Sequence, residues 1–166
     1  MNIYILRHGI AEDREEWNKN DSLRPLAVEG EKQLQKIAKV LKKMELEFDL
    51  ILSSPYERAK KTAEIVAQKL ELKGRLRYSD ELRCGGDPSQ LISHVTALKP
   101  LPGNLLLVGH EPYLSQLIAL LVSGDPSLEI DFKKAGLCKL KTEHLQFGRC
   151  ARLSWLLTPK QMELMA

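Results

Sequence analysis

The sequence predicts an α/β protein, because apolar strand-like runs alternate along the chain with amphipathic helix-like runs. A length of 166 residues is the usual size of one domain, so we expect a single domain spanning residues 1–166. Hydrophobic residues make up 43% and charged residues 28% of the chain, a globular balance that excludes wholesale disorder.

The first half of the chain begins with a predicted strand at residues 2–6, followed by a polar loop that extends to about Asp21. A helix begins after Pro25, because apolar residues then recur at helical spacing. These residues are Leu34, Ile37, Ala38, Leu41 and Met44. The continuous apolar run within residues 49–53 predicts a second, buried strand.

A second helix is predicted to start at residues 54–57. Ser54 can cap a helix, Pro55 suits the first turn, and Glu57 would complete a capping box with Ser54. We expect this helix to reach about Leu70, with Ala59, Ala63 and Val66 buried. A weak third strand is predicted near residues 75–78.

In the second half of the chain, Asp87 and Pro88 open a further helix by the same capping logic. Its apolar face carries Leu91, Val95 and Leu98. Residues 104–108 predict a buried strand, and Pro112 opens a helix with Leu114, Leu117, Ile118 and Leu121 on one face. Residues 136–140 and 151–156 predict two final strands, which form a hairpin with its turn near Gly148.

Composition limits the classes of binding partner and indicates the cellular compartment. The net charge of +3 is too small to favour a nucleic-acid partner, and the apolar runs are too short to span a bilayer. The N-terminus lacks the basic segment of a signal peptide. Cys84, Cys138 and Cys150 are odd in number and show no C-x-x-C spacing, which favours reduced thiols in a cytoplasmic protein. Few apolar runs reach the predicted surface, so we expect a monomer.

Polar side chains follow three of the predicted strands at the point where each strand ends. Arg7 and His8 follow the first strand, Arg58 lies just beyond the second, and His110 follows the strand at 104–108. Ligands of open α/β sheets bind outside the carboxyl ends of the strands. If these strands are parallel neighbours, we expect the four side chains to converge in one crevice, where two helices also begin.

Such a crevice suits a compact, multiply charged anion, and phosphate is the obvious candidate because the arginine fork matches phosphate oxygens. Neighbouring arginines favour the neutral form of His8, which can then attack phosphorus. The same positive field stabilises the charge that develops on the transferred phosphoryl group.

Other chemistries fit these residues less well. Taken singly, Arg7 and Arg58 could form surface ion pairs, and His8 and His110 could be structural. A zinc site would need a third ligand, the arginines would repel the cation, and no H-E-x-x-H or H-x-H spacing occurs. We therefore expect no metal and no other cofactor, with His94 and His144 on the surface. The absence of a G-x-S-x-G elbow disfavours a serine hydrolase.

Three motifs in order carry a family resemblance. They are Arg7-His8-Gly9, the segment S-S-P-Y-E-R-A-K-K-T-A at residues 53–63, and Gly109-His110. Together they resemble the histidine phosphatase superfamily, the phosphoglycerate mutase-like group. Within it the chain most resembles the SixA-type phosphohistidine phosphatases, because it is short and carries R-P-L at residues 24–26 and E-L-R-C-G at residues 81–85.

The resemblance implies a three-layer α/β/α sandwich with a mostly parallel central sheet, and metal-free transfer through a phosphohistidine intermediate. By motif, His8 would be the nucleophile, and Arg7, Arg58 and His110 would hold the transferred phosphoryl group. Arg24 would either face the phosphate or form a loop salt bridge.

The chain departs from its relatives at two places. Ala11 stands where many carry Thr or Ser, and Cys84 stands where many carry a general-acid glutamate; Glu81 and Asp87 are the nearest candidate acids. A missing acid disfavours alkyl phosphomonoesters, whose leaving group needs a proton. We therefore expect a phosphatase of phosphohistidine on a protein, such as a signalling phosphotransfer domain. The alternatives are a small-molecule phosphomonoesterase and a non-catalytic phosphate-binding module.

Overall fold

The computed structural model describes residues 1–166, which form six strands and five helices. The strands are β1 (Asn2–Arg7), β2 (Leu50–Ser53), β3 (Leu76–Tyr78), β4 (Asn104–Gly109), β5 (Leu137–Thr142) and β6 (Ala151–Leu157). The helices are α1 (Val28–Lys43), α2 (Glu57–Lys69), α3 (Pro88–Ala97), α4 (Tyr113–Ser123) and α5 (Pro159–Leu164). None of the helices is both long enough and apolar enough to cross a bilayer.

All six strands belong to one sheet, in the order β3-β2-β4-β1-β5-β6. The first four in that order are parallel to one another, and β5 pairs antiparallel with both β1 and β6. The prediction of a mostly parallel sheet is therefore confirmed, as is the hairpin formed by the last two strands. Gly148 lies in the hairpin connection with a φ of +93°, a conformation that glycine adopts without steric cost.

Both faces of the sheet are covered, which confirms the three-layer α/β/α arrangement. Along β1, Tyr4 and Leu6 enter the core beneath α1, α2 and α5, whereas Ile3 and Ile5 enter the core beneath α3 and α4. This alternation follows from the two-residue period of a strand. It explains why residues 3–6 of β1 are all apolar, whereas the strand is polar at its two ends, Asn2 and Arg7.

Helix α2 begins within the predicted residues 54–57, but the predicted capping box is wrong. The helix begins at Glu57 after Tyr56, and no side chain caps it. The Ser54 hydroxyl meets Nε2 of His110 at 2.8 Å instead, and the Glu57 carboxylate lies 3.5 Å from Nζ of Lys60. The side chain that could have capped the helix is thus engaged at the end of β4.

Helix α5 was not predicted from the sequence, although the residues at its start form a capping box. The Thr158 hydroxyl accepts from the Gln161 amide and the Gln161 side chain accepts from the Thr158 amide, with Pro159 in the first turn. The helix is only six residues long and buries a single side chain, Met162, so its apolar periodicity is too short to detect.

The entry into α1 fixes the loop that follows β1. The amide of Ala27 donates to the Ile10 carbonyl at 3.0 Å, and Gly30 packs directly over that carbonyl. A Cβ at Gly30 would lie 2.1 Å from the Ile10 oxygen, a distance that only glycine avoids. The backbone two residues beyond His8 is therefore held by the first turn of α1.

We expect Gly30→Ala to lower the free energy of unfolding by about 2–3 kcal/mol, because the backbone overlap outweighs a gain of about 1 kcal/mol in helix propensity. Gly74→Ala is the matched control, since nothing lies within 4 Å of a Cβ built there, and it should change stability by less than about 0.5 kcal/mol. Urea denaturation of both variants measures the difference. Equal stability of the two variants would contradict the packing described for Gly30.

Candidate active site

The carboxyl ends of β1, β2 and β4 meet at one edge of the sheet and open into a pocket of about 1000 Å³. The structure brings together in this pocket the four side chains that the sequence places after the strands, and Arg24 also lines it. The lining includes Arg7, His8, Arg24, Arg58 and His110. These residues lie far apart in the chain, so the sheet order brings them together.

His8 is 6% exposed, and its imidazole is fixed by a short bond to the backbone. Its Nδ1 lies 2.7 Å from the Gly9 carbonyl oxygen. A carbonyl oxygen can only accept, so Nδ1 carries the proton and Nε2 of the neutral ring keeps its lone pair. Burial holds the pKa of His8 well below its usual 6.5, and the adjacent His110, Arg58 and Arg7 lower it further. At neutral pH the ring is therefore uncharged, which is the state that a nucleophilic histidine requires.

His110 is 1% exposed and lies beside His8, with 5.1 Å between the ring centroids. The Ser54 hydroxyl holds its Nε2, whereas its Nδ1 is buried without a partner. Burial, followed by the charge of Arg58, lowers the pKa of His110 to about 3. A second neutral imidazole in the pocket lining thus has one ring nitrogen without a hydrogen-bond partner.

Arg58 is 3% exposed, and a short turn at Asp21–Leu23 holds its guanidinium. Its Nη1 donates to the Asp21 carbonyl at 2.8 Å, and its Nη2 donates to the Asp21 carboxylate at 2.9 Å. Its Nε is buried without a partner. Burial alone would raise the pKa of Asp21, but hydrogen bonds from Arg24 and the charge of Arg58 outweigh it and lower that pKa.

Arg24 combines the two predicted possibilities. It lines the pocket, and its Nε forms a salt bridge with Asp21 at 2.9 Å. Its Nη1 donates to the Glu12 carbonyl at 2.8 Å. The residue therefore connects the loop after β1 to the Asp21 turn and also lines the pocket.

Arg7 lies at the end of β1, where its Nη1 donates to the Phe132 carbonyl and its Nε is buried without a partner. Burial lowers the pKa of Arg7, and the charges of Glu111 and Asp131 oppose that shift. The guanidinium remains charged at neutral pH, because arginine does not deprotonate in proteins.

Thr62 connects the His8 segment to α2. The Gly9 amide donates to Oγ1 of Thr62 at 3.1 Å, and Oγ1 donates to the Arg58 carbonyl at 2.7 Å. One buried hydroxyl thus joins the backbone of the residue after His8 to the backbone of Arg58. This contact gives a structural reason for the threonine in the motif at residues 53–63.

The two candidate acids lie outside the pocket lining. The Glu81 carboxylate accepts from the Ser79 hydroxyl and lies 3.3 Å from Nδ1 of His94, and the Asp87 carboxylate caps α3 through the Ser89 amide. Cys84 does line the pocket, with its sulfur 3.5 Å from Nη2 of Arg58. Burial raises the pKa of the Cys84 thiol, which keeps it protonated at neutral pH.

Asp21 is the pocket residue that sequence reasoning missed. Its signal is local: Asn20 accepts from the Ser22 amide and forms the turn, and Arg24 lies one helical turn further on. That pattern also fits an ordinary surface loop, so only the fold reveals its contact with Arg58.

His94 is about one-third exposed and His144 is exposed. No group of three or more His, Cys, Asp or Glu side chains is placed to hold a metal ion.

The arrangement can bind a tetrahedral dianion against a nucleophilic nitrogen. Arg7 and Arg58 each keep a buried, unpartnered Nε, and His110 keeps an unpartnered Nδ1. A phosphoryl group would supply acceptors for these groups, and its charge would offset the buried guanidiniums. Attack by Nε2 of His8 would form a phosphorus–nitrogen bond within that cluster.

Comparison with known proteins places the chain among phosphatases. The model of the histidine phosphatase superfamily (branch 1) matches residues 3–83. An uncharacterised protein of Picosynechococcus sp. is 34% identical to this chain, over a region that covers 86% of this chain and 86% of that protein. The phosphohistidine phosphatase SixA of Escherichia coli K12 is 31% identical to this chain, over a region that covers 75% of this chain and 76% of that protein. A solved structure of the protein histidine phosphatase SixA complexed with tungstate has a TM-score of 0.82 and 27% identity, covering 96% of this chain and 98% of that one.

We expect Thr62→Val to lower the free energy of unfolding by about 1–3 kcal/mol, because the buried Gly9 amide loses its acceptor. Thr62→Ser keeps the hydroxyl and should retain most of the stability. The two variants are compared by urea denaturation and by the single-turnover rate of phosphoryl transfer. A valine variant as stable and as fast as the serine variant would show that the hydroxyl bridge contributes nothing.

The low pKa of His110 predicts a loss of stability in acid. Between about pH 6.5 and the folded-state value near 3, the unfolded chain binds a proton at this residue that the folded chain does not. The free energy of unfolding therefore falls with decreasing pH by up to about 1.4 kcal/mol per unit for this group. His110→Gln should show a correspondingly shallower decline between pH 6.5 and pH 4.5 in urea denaturation. Parallel declines in the variant and the parent protein would contradict a neutral, buried His110.

Proposed function

Because the chain belongs to the histidine phosphatase superfamily and is a phosphatase, we propose that it removes phosphate from phosphohistidine side chains of another protein. The observation that carries the proposal is the state of His8. It is a neutral imidazole, held in the Nδ1–H form by Gly9, and it shares the pocket lining with Arg7, Arg58 and His110, each of which has an unpartnered nitrogen. The SixA relatives support the choice of substrate.

In the first step, Nε2 of His8 attacks the phosphorus atom of the substrate phosphohistidine. A new phosphorus–nitrogen bond forms at His8, and the phosphorus–nitrogen bond of the substrate breaks. The electron pair of the broken bond stays on the substrate imidazole, which leaves neutral after taking up any proton it needs from solvent. Arg7, Arg58 and His110 bind the three equatorial oxygens during the transfer.

In the second step, water attacks the phosphorus atom of phospho-His8. Its oxygen forms the new bond, and the bond between phosphorus and Nε2 of His8 breaks. Inorganic phosphate leaves, the water proton passes to phosphate or solvent, and His8 returns to its Nδ1–H form. The hydrogen bond to Gly9 keeps Nδ1 protonated through both steps, so the same nitrogen is the nucleophile and then the leaving group.

Cys84, which follows β3 in the pocket lining, suits a phosphoramidate substrate better than an alkyl phosphate. An alkoxide must receive a proton as it departs, whereas the imidazole of a phosphohistidine can leave already protonated. Cys84 occupies the pocket where many superfamily members carry a glutamate, and its thiol is a weak donor with a raised pKa. Glu81 and Asp87 are engaged by Ser79 and by the start of α3.

The breadth of the pocket fits a substrate carried on a protein. A volume of about 1000 Å³ is at the upper end for small-molecule sites, far larger than a phosphoryl group and one imidazole ring need. His8 sits at its base with 6% of its surface exposed. A histidine that projects from a partner surface can reach the nucleophile while the flanking polypeptide occupies the wider mouth.

We expect His8→Ala to abolish both turnover and covalent labelling, because the phosphoryl group then has no acceptor. The parent protein is mixed with a phosphohistidine peptide, quenched at high pH, and analysed for acid-labile phosphate on His8. His144→Ala is the matched control, since His144 is exposed and lies outside the pocket, and it should be labelled like the parent protein.

A substrate panel tests the choice of substrate. Phosphohistidine peptide, sugar phosphates and nucleotides are compared by kcat/KM, and the peptide should exceed the alkyl phosphates by at least about a hundredfold, the usual worth of general-acid assistance. Turnover of sugar phosphates without turnover of the peptide would replace the proposal with a small-molecule phosphatase. Tight phosphate binding without labelling or turnover would indicate a non-catalytic module.

A further inference from the structure

The mouth of the active-site pocket is acidic, in contrast to its base. Four exposed carboxylates on the loop after β1 line the pocket, and we call them the acidic rim: Glu12, Asp13, Glu15 and Glu16. None of the four forms a salt bridge. Arg14 and Lys134 are the exposed cations of the same lining. The chain as a whole has a net charge of +3, so this surface runs against the overall charge.

The acidic rim is an ordered part of the fold. The Glu12 amide donates to the Pro25 carbonyl at 3.1 Å, and the Glu12 carbonyl accepts from Nη1 of Arg24. Further along, the Asp13 carboxylate accepts from the Glu15 amide at 2.8 Å, and the Asp13 carbonyl accepts from the Trp17 amide at 3.1 Å. These bonds hold the four carboxylates at the pocket mouth.

Local structure explains one of the four carboxylates, because that of Asp13 accepts from the Glu15 amide, but the carboxylates of the three glutamates have no hydrogen-bond partner. Glu29, another acid of the lining, lies in the first turn of α1, where the helix dipole favours a negative charge. The acidic rim belongs to no helix and has no ion-pair partner. Its carboxylates stand near one another, so they repel each other and repel any free phosphate that approaches the site.

The base of the same pocket still requires an anion. His110 is 1% exposed with an unpartnered Nδ1, and Arg58 is 3% exposed with an unpartnered Nε. A ligand that satisfies both regions must bring a phosphoryl group to the base and positive charge to the mouth. A free polyanion, such as a nucleotide or a sugar bisphosphate, is attracted by the guanidinium groups at the base of the pocket but is repelled by the carboxylates at its mouth.

We infer that the acidic rim selects phosphohistidine carried on a basic protein surface, with lysine or arginine side chains flanking the modified residue. This inference rests on the proposed function and names the class of partner for it. Complementary charge at the mouth raises the rate of encounter and fixes the orientation of the partner. The same charge excludes abundant small phosphates from a site that would otherwise attract them.

Two phosphohistidine peptides of equal length test the inference, one with lysine flanks and one with glutamate flanks. Their Kd values are measured on a His8→Ala background, which binds without turnover, and their kcat/KM values are measured with His8 present. The rim variant carries Glu12→Gln, Asp13→Asn, Glu15→Gln and Glu16→Gln. The matched control removes four exposed carboxylates outside the pocket by Glu45→Gln, Glu47→Gln, Glu129→Gln and Glu143→Gln.

With the native rim and in the control variant, the lysine-flanked peptide should bind at least about tenfold more tightly than the glutamate-flanked one. The rim variant should lose this preference and bind inorganic phosphate more tightly than the parent protein does. The preference should also shrink at about 1 M salt, where screening shortens the reach of exposed charges.

The outcomes separate the inference from the proposed function. Equal Kd values for the two peptides with the native rim, an undiminished preference in the rim variant, or no binding of either peptide would overturn the inference. Charge-selective binding on the His8→Ala background without turnover when His8 is present would uphold the rim as a selective surface and overturn the proposed function.

Discussion

The proposed phosphoryl transfer depends on keeping one imidazole neutral beside guanidinium groups. His8 is buried next to His110 and near Arg58 and Arg7, and each of these neighbours disfavours a protonated ring. The bond from Nδ1 to the Gly9 carbonyl then decides which nitrogen is free. Without burial, part of the His8 population would be protonated at neutral pH, and that fraction could not attack phosphorus; without the Gly9 bond, the lone pair would not be fixed on Nε2.

The fold supplies this environment through strand order. Because β4 lies between β1 and β2, the ends of three parallel strands meet, and the residues after them share one pocket. Two buried contacts then fix the relative positions of the parts. Thr62 joins the Gly9 amide to the start of α2, and Ser54 joins the end of β2 to His110. Each of these hydroxyls connects segments more than fifty residues apart in the chain.

Much of this arrangement was predictable from the sequence, because the middle residues of β1, β2 and β4 are apolar and the strands end in Arg7, Ser53 and Gly109. Long-range pairings were not predictable. The capping box at Ser54 was wrong because its hydroxyl serves His110, and the role of Asp21 depends on contact with Arg58, 37 residues away. Helix α5 buries only Met162, too little to leave an apolar pattern.

The positive base and the acidic mouth make opposite demands on a ligand, and a phosphorylated side chain on a basic surface meets both. At the base of the pocket, the proposed step is transfer of the phosphoryl group to Nε2 of a neutral His8. The most direct test is heteronuclear NMR of the phosphoenzyme, prepared with ¹⁵N-labelled histidine and trapped at high pH. Phosphorus coupled to Nε2 of His8 is the predicted result. Phosphorus coupled to Nδ1 of His8, or to a nitrogen of any other residue, would contradict it.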